Sequence, residues 1–139
     1  MGLLSSDLQV AVAFMDAEHN ELIRVLVALE ERAAAHDRSA CQGLLDDFRT
    51  RVDAHFAHEE SLMSKHGYPG TRAHAEQHAL FAQRLEVLYE DPVLVLAPRQ
   101  LVECFQAWFA LHLADSDRRL AQWLLAQNLV PTSTPARSG

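Results

Sequence analysis

Eight histidines in 139 residues are more imidazole than a small core uses, and their spacing shows where the surplus goes. His55 and Glu59 stand four apart, and so do His74 and His78. Residues four apart share one face of a helix. His112 follows Trp108 by one helical turn, and His19 precedes Ile23 by one turn, so both sit on apolar stripes. Burying such groups without partners costs on the order of 1–3 kcal/mol each, and more for a charge. A bound cation removes that cost by taking the imidazole lone pairs and neutralising the carboxylate. A single core histidine is ordinarily just hydrogen-bonded. Inward histidines on every apolar segment of the chain point to a metal. His36, in a turn, His58, off the His55–Glu59 face, and His66, at a segment end, read as surface or capping residues.

Four helices are needed to carry these positions, and the sequence supplies four. Apolar residues recur at steps of three and four, with no strand-like alternation of useful length. Helix A is expected from an Asp16 N-cap to about Ala35, through Leu22, Ile23, Leu26, Val27 and Leu29. Helix B is expected from a Ser39–Gln42 capping box to Gly67, through Leu45, Phe48, Val52, His55, Phe56, Glu59 and Met63. Helix C runs from Thr71 to about Glu90, through His74, His78, Phe81, Leu85 and Leu88. Helix D starts with Pro98 in its first turn and carries Leu101, Phe105, Trp108, His112 and Leu120 to about Gln127. Short connections between elements of similar length predict an all-α, antiparallel up-down four-helix bundle. It occupies residues 1–130 as one domain, with an N-terminal arm from Leu3 to Met15 packed against it and a disordered Ser/Thr/Pro-rich tail over 131–139.

The donor set narrows the metal. Five imidazoles with carboxylates exceed the four ligands of one tetrahedral zinc. No thiolate cluster is present to hold an iron–sulfur centre. Mixed nitrogen and oxygen ligands suit a pair of octahedral first-row ions, iron or manganese. The Glu-x-x-His pairs of ferritin-like dimetal sites are absent.

In order and at fitting intervals, these residues resemble the hemerythrin family, in its single-domain bacterial form. The family's His-Phe-x-x-Glu-Glu-x-x-Met stands here from His55 to Met63, its Tyr-Pro turn as Tyr68-Pro69, and its His-x-x-x-His as His74 to His78. Its Trp-x-x-x-His-x-x-x-x-Asp runs from Trp108 through His112 to Asp117, and its Asp-x-x-His-x-x-Leu from Asp16 through His19 to Leu22. The resemblance covers about residues 15–125 and implies a non-haem centre of two iron ions cycling between Fe2+ and Fe3+. His74, His78 and His112 would bind one ion and His19 and His55 the other. Glu59 and Asp117 would bridge both, with an oxo or hydroxo group. Dioxygen would bind end-on at the ion with fewer protein ligands, beside Leu22, Phe56 and Trp108 as pocket walls. The implied function is reversible oxygen binding for transport, storage or sensing. The alternatives are a di-iron enzyme handling peroxide or nitric oxide, and an iron- or redox-handling protein. His112 and Asp117 are about 140° apart on an ideal helix, so Asp117 requires a distorted helix or a reach between the metals, and Asp115 is the alternative. Glu18 stands where bacterial relatives often carry Gln.

Acidic residues exceed basic ones by 19 to 12, a net charge of −7, which argues against a phosphate-binding surface for nucleic acid. No apolar run approaches the roughly 18 residues of a membrane span. No secretory leader opens the sequence, so a cytoplasmic location is expected. Two cysteines, Cys41 and Cys104, make no disulfide framework and read as buried reduced thiols.

Overall fold

A computed structural model describes residues 10, 12–91 and 97–130. The tail 131–139 and most of the expected N-terminal arm lie outside them. The described residues form α1 (Ala13–Ala34), α2 (Arg38–His66), α3 (Thr71–Tyr89), α4 (Arg99–His112) and α5 (Arg118–Ala126). A five-residue π-helical segment, Leu113–Asp117, joins α4 to α5 with helical backbone angles on both sides, so the three make one rod. The architecture is an all-α four-helix bundle.

Cross-helix contacts give its direction. Glu18, early in α1, meets His55 and His58, late in α2. The Tyr89 hydroxyl at the end of α3 donates to the Leu45 carbonyl near the start of α2. Gln77 of α3 accepts from His112 at the end of α4. Each successive pair is therefore antiparallel. His19 of α1 lies edge-on to Phe109 of α4, which closes the ring. The core between the rods is built from Met15, Leu22, Leu26, Phe48, Met63, Phe81, Phe105 and Leu120, all essentially without solvent contact. Near-crystalline packing of this kind leaves side chains little freedom to shift, so the polar groups within it are held in register.

The helix boundaries differ from the sequence expectation in three places. Helix α1 begins at Ala13, so Asp16 lies inside it, buried, and its Oδ1 accepts from the Val10 N–H, 2.9 Å away. Asp16 thus holds the approach of the chain rather than capping the helix. Asp37, not Ser39, is the N-cap of α2, accepting from the Ala40 N–H at 3.1 Å. The capping-box spacing pointed to Ser39, but the folded backbone brings the Asp37 carboxylate to the free Ala40 N–H instead. Pro98 is the N-cap of α4 rather than a residue of its first turn. Gly67 does end α2, in the left-handed region at φ 68°.

Candidate metal centre

Five imidazoles and two carboxylates converge at the middle of the bundle. His19, His55, Glu59, His74, His78, His112 and Asp117 are each at most 4% exposed. Their ligand atoms fall into two groups, each within 4.8 Å. One group is Glu59, His74, His78, His112 and Asp117, and the other is His19, His55, Glu59 and Asp117. All five rings turn Nε2 inward. The carboxylates divide between the groups by oxygen atom. Glu59 Oε1 lies 3.1 Å from both His74 and His78, and its Oε2 lies 3.0 Å from His55. Asp117 Oδ1 lies 2.9 Å from His74 and from His112, and its Oδ2 lies 3.2 Å from His19. Each carboxylate therefore offers one oxygen to the three-imidazole group and the other to the two-imidazole group.

The π segment puts Asp117 there. Its wider turn, bonded i to i+5, brings a residue five positions on back near the starting face, where an ordinary helix would carry it away. Asp115 faces solvent instead and pairs with Arg119 at 2.9 Å.

The electrostatics of the cluster suit cations. Burial pushes both carboxyl pKa values up. For Glu59 the surrounding imidazoles, His55 foremost, more than reverse this and hold it well below its ordinary value. Asp117 also feels the Glu59 charge pushing it up, yet His112, His19 and His74 bring it well below the usual carboxylate range. Burial disfavours charge on His55, but Glu59 and Glu18 outweigh it and lift its pKa to about 10. The Asp117 and Glu59 carboxylates likewise outweigh burial at His74 and lift it to about 9. At His112 burial prevails and the pKa is lowered. Glu59 Oε2 and both Asp117 oxygens are buried without a hydrogen bond despite these short approaches. Buried, ionised oxygens short of donors, ringed by nitrogen lone pairs, fit divalent or trivalent cations.

The hemerythrin family profile, described as the hemerythrin HHE cation binding domain, matches residues 10–124. The chain belongs to the hemerythrin family. The bacteriohemerythrin of Aquifex aeolicus (strain VF5) is 28% identical over 120 residues, covering 84% of this chain and 92% of that protein. That of Ralstonia nicotianae is 28% identical over 123 residues, 86% of each chain. That of Stenotrophomonas maltophilia is 32% identical over 79 residues, 57% of this chain but only 52% of the relative, so the match spans about half the length of that protein.

Around the cluster of this hemerythrin-family chain stands a set of hydrogen-bond acceptors that motif spacing did not reveal. The His78 Nδ1–H donates to Glu60 at 3.0 Å, and the His112 Nδ1–H to Gln77 Oε1 at 2.8 Å. The Ser116 hydroxyl donates to that same Gln77 oxygen at 2.6 Å. The His55 Nδ1–H donates to Glu18 at 2.7 Å. Carboxylate and amide oxygens are the acceptors in these bonds, so each places a proton on Nδ1 and leaves Nε2 as the ligating nitrogen. His58, expected to be a plain surface residue, is nearly half exposed yet is tied to the second Glu18 oxygen at 2.7 Å and packs on Phe14. Burial raises the Glu18 pKa, but its bonds to His55 and His58 win and keep it ionised.

The expected pocket residues are placed unequally. Phe56 stacks on His78 with centroids 3.9 Å apart, and Trp108 stacks on His112 at 4.3 Å, both on the three-imidazole side. Leu22 is buried in the core. On the two-imidazole side Phe109 lies 4.9 Å from His19, and Phe56 reaches that side as well, 6.1 Å from His55. Both cysteines are free thiols, Cys41 buried and Cys104 partly exposed in a surface groove with Val87 and Leu111.

Proposed function

We propose that this chain holds two iron ions and binds dioxygen reversibly, for storage, delivery or sensing. The observation that carries the reading is the division of Glu59 and Asp117 between two imidazole groups, which suits a carboxylate-bridged pair of ions. His74, His78 and His112 would hold one ion and His19 and His55 the other. The first then has five protein ligands counting the shared carboxylates, and the second has four. With an oxo or hydroxo bridge shared by both six-coordinate ions, that difference would leave one position for a small ligand, on the two-imidazole side. When bound, the iron pair would lend dioxygen two electrons, one from each ion, and take them back on its release.

The protein's own part is to orient and to exclude water. Glu18, Glu60 and Gln77 fix the tautomers of three rings. Glu59 and Asp117, both kept ionised, neutralise part of the metal charge in a setting where unbalanced charge is costly. Phe109 and the core around His19 form a dry, apolar wall in which a neutral diatomic molecule is favoured over water. No described helix is long and apolar enough to cross a membrane.

The test is anaerobic loading with ferrous iron, metal analysis, and an optical spectrum before and after admission of air. Two irons per chain and a visible band that fades under vacuum are expected. Oxidation that does not reverse, with turnover of peroxide or nitric oxide, would replace the carrier reading with a di-iron enzyme.

A further inference from the structure

We infer that Glu18 is a positioning residue for one of the two metal positions, that of His19 and His55, and that His58 holds Glu18 in place. The inference rests on the two-metal reading above. In the three-imidazole group two rings are anchored from behind by different residues, His78 by Glu60 and His112 by Gln77. The two-imidazole group has no such redundancy. The His19 Nδ1 is buried and has no hydrogen-bond partner among the described residues. The His55 ring is therefore the only one of the pair fixed by a bond from outside, and Glu18 makes that bond. The same carboxylate is gripped on its other oxygen by His58, 2.7 Å away, whose ring rests 4.4 Å from Phe14. The series Phe14, His58, Glu18, His55 runs from the surface to the metal position that has the fewest ligands.

Charge adds to orientation. A carboxylate behind an imidazole makes the inward nitrogen a stronger donor than a neutral amide does. Glu18 is the one carboxylate behind the four-ligand position among the described residues, whereas the other position draws on two residues, Glu60 behind His78 and neutral Gln77 behind His112. Loss of this one side chain should therefore loosen one ion and spare its neighbour. The site tolerates the change, because Glu18 is one-third exposed and borders a surface cavity of about 350 Å³, with Glu21, Arg51 and His58 on its walls. Truncation there admits water rather than collapsing the core.

The experiment is an anaerobic competition between the full chain and a ferrous chelator, counting ions per chain, with Mössbauer spectra to separate the two inequivalent ferrous sites. Glu18→Ala is expected to weaken one ion by about 10–100-fold while the other stays close to wild type. Glu18→Gln should recover much of the loss, since its amide oxygen can still accept from the His55 Nδ1–H. His58→Ala should shift the same ion by less. Gln77→Ala should weaken the opposite ion. Equal weakening of both ions by Glu18→Ala, or of neither, overturns the inference. A wild-type chain that holds fewer than two ions overturns the two-metal reading itself, and the inference with it. Circular dichroism of each variant separates these outcomes from misfolding.

Discussion

His74 Nε2 lies close to oxygens of both carboxylates, so its imidazole is central to the cluster. His74→Ala is expected to lose iron from its group, read as fewer than two irons per chain by metal analysis. Asp117→Asn should do the same, whereas Asp115→Asn should keep full occupancy, because Asp115 faces solvent and pairs with Arg119. The raised histidines also give a pH signature. In the metal-free chain His55 and His74 titrate at about 10 and about 9 against an ordinary 6.5, so their stabilisation is complete below about pH 6.5 and disappears as pH rises through 9 to 10. Glu59 and Asp117 are depressed, so theirs is present above their ordinary values and disappears on acidification through the lower folded values. The metal-free melting temperature should therefore peak between about pH 5 and 6.5. A flat profile from pH 6.5 to 10 would contradict the protonated assignment. At pH 7 these protons must leave before metal binds, so loading should acidify a weakly buffered solution. At this scale the inward histidines were legible, because imidazole on an apolar stripe is conspicuous. Their outer partners were not. Glu18, Glu60 and Gln77 lie on neighbouring helices in a register that single-chain spacing does not contain.

Four helices, their order and their approximate ends follow from periodicity and from Gly67 and Pro98, which act locally. The caps were harder, since Asp37 and Ser39 are both good acceptors and only the folded backbone brings one of them to Ala40. Asp37→Ala is expected to cost about 1 kcal/mol in chemical denaturation, and Ser39→Ala to stay within about 0.5 kcal/mol. Gly67→Ala meets no neighbouring atom, so its cost, also about 1 kcal/mol, is purely that of the left-handed backbone at φ 68°. It should lower the melting temperature without changing iron content. The π segment was foreseen only as a conflict between the five-residue step from His112 to Asp117 and an ordinary helix. The folded chain resolves it by widening the turn, a distortion that occurs often at functional sites.

Across the whole molecule, the candidate ligands come from all four rods and meet at one point, so metal binding should be linked to folding. Ions that bind only the folded chain raise its stability with concentration, and chelation should lower the melting temperature progressively. The family match over residues 10–124 spans the described rods almost completely, in keeping with a bundle that depends on every one of them. Two tryptophans sit at different distances from this common point. Trp108 lies flat on His112, with centroids 4.3 Å apart and planes inclined by 16°, while Trp123 packs against Tyr68. The indole of Trp108 is thus a built-in fluorophore stacked on a candidate metal ligand. Iron loading should quench its emission, and in a Trp108→Phe chain most of that response should vanish, leaving Trp123 as a steady internal standard. Occupancy of the buried centre can then be followed from outside the protein, by light alone and without any added dye.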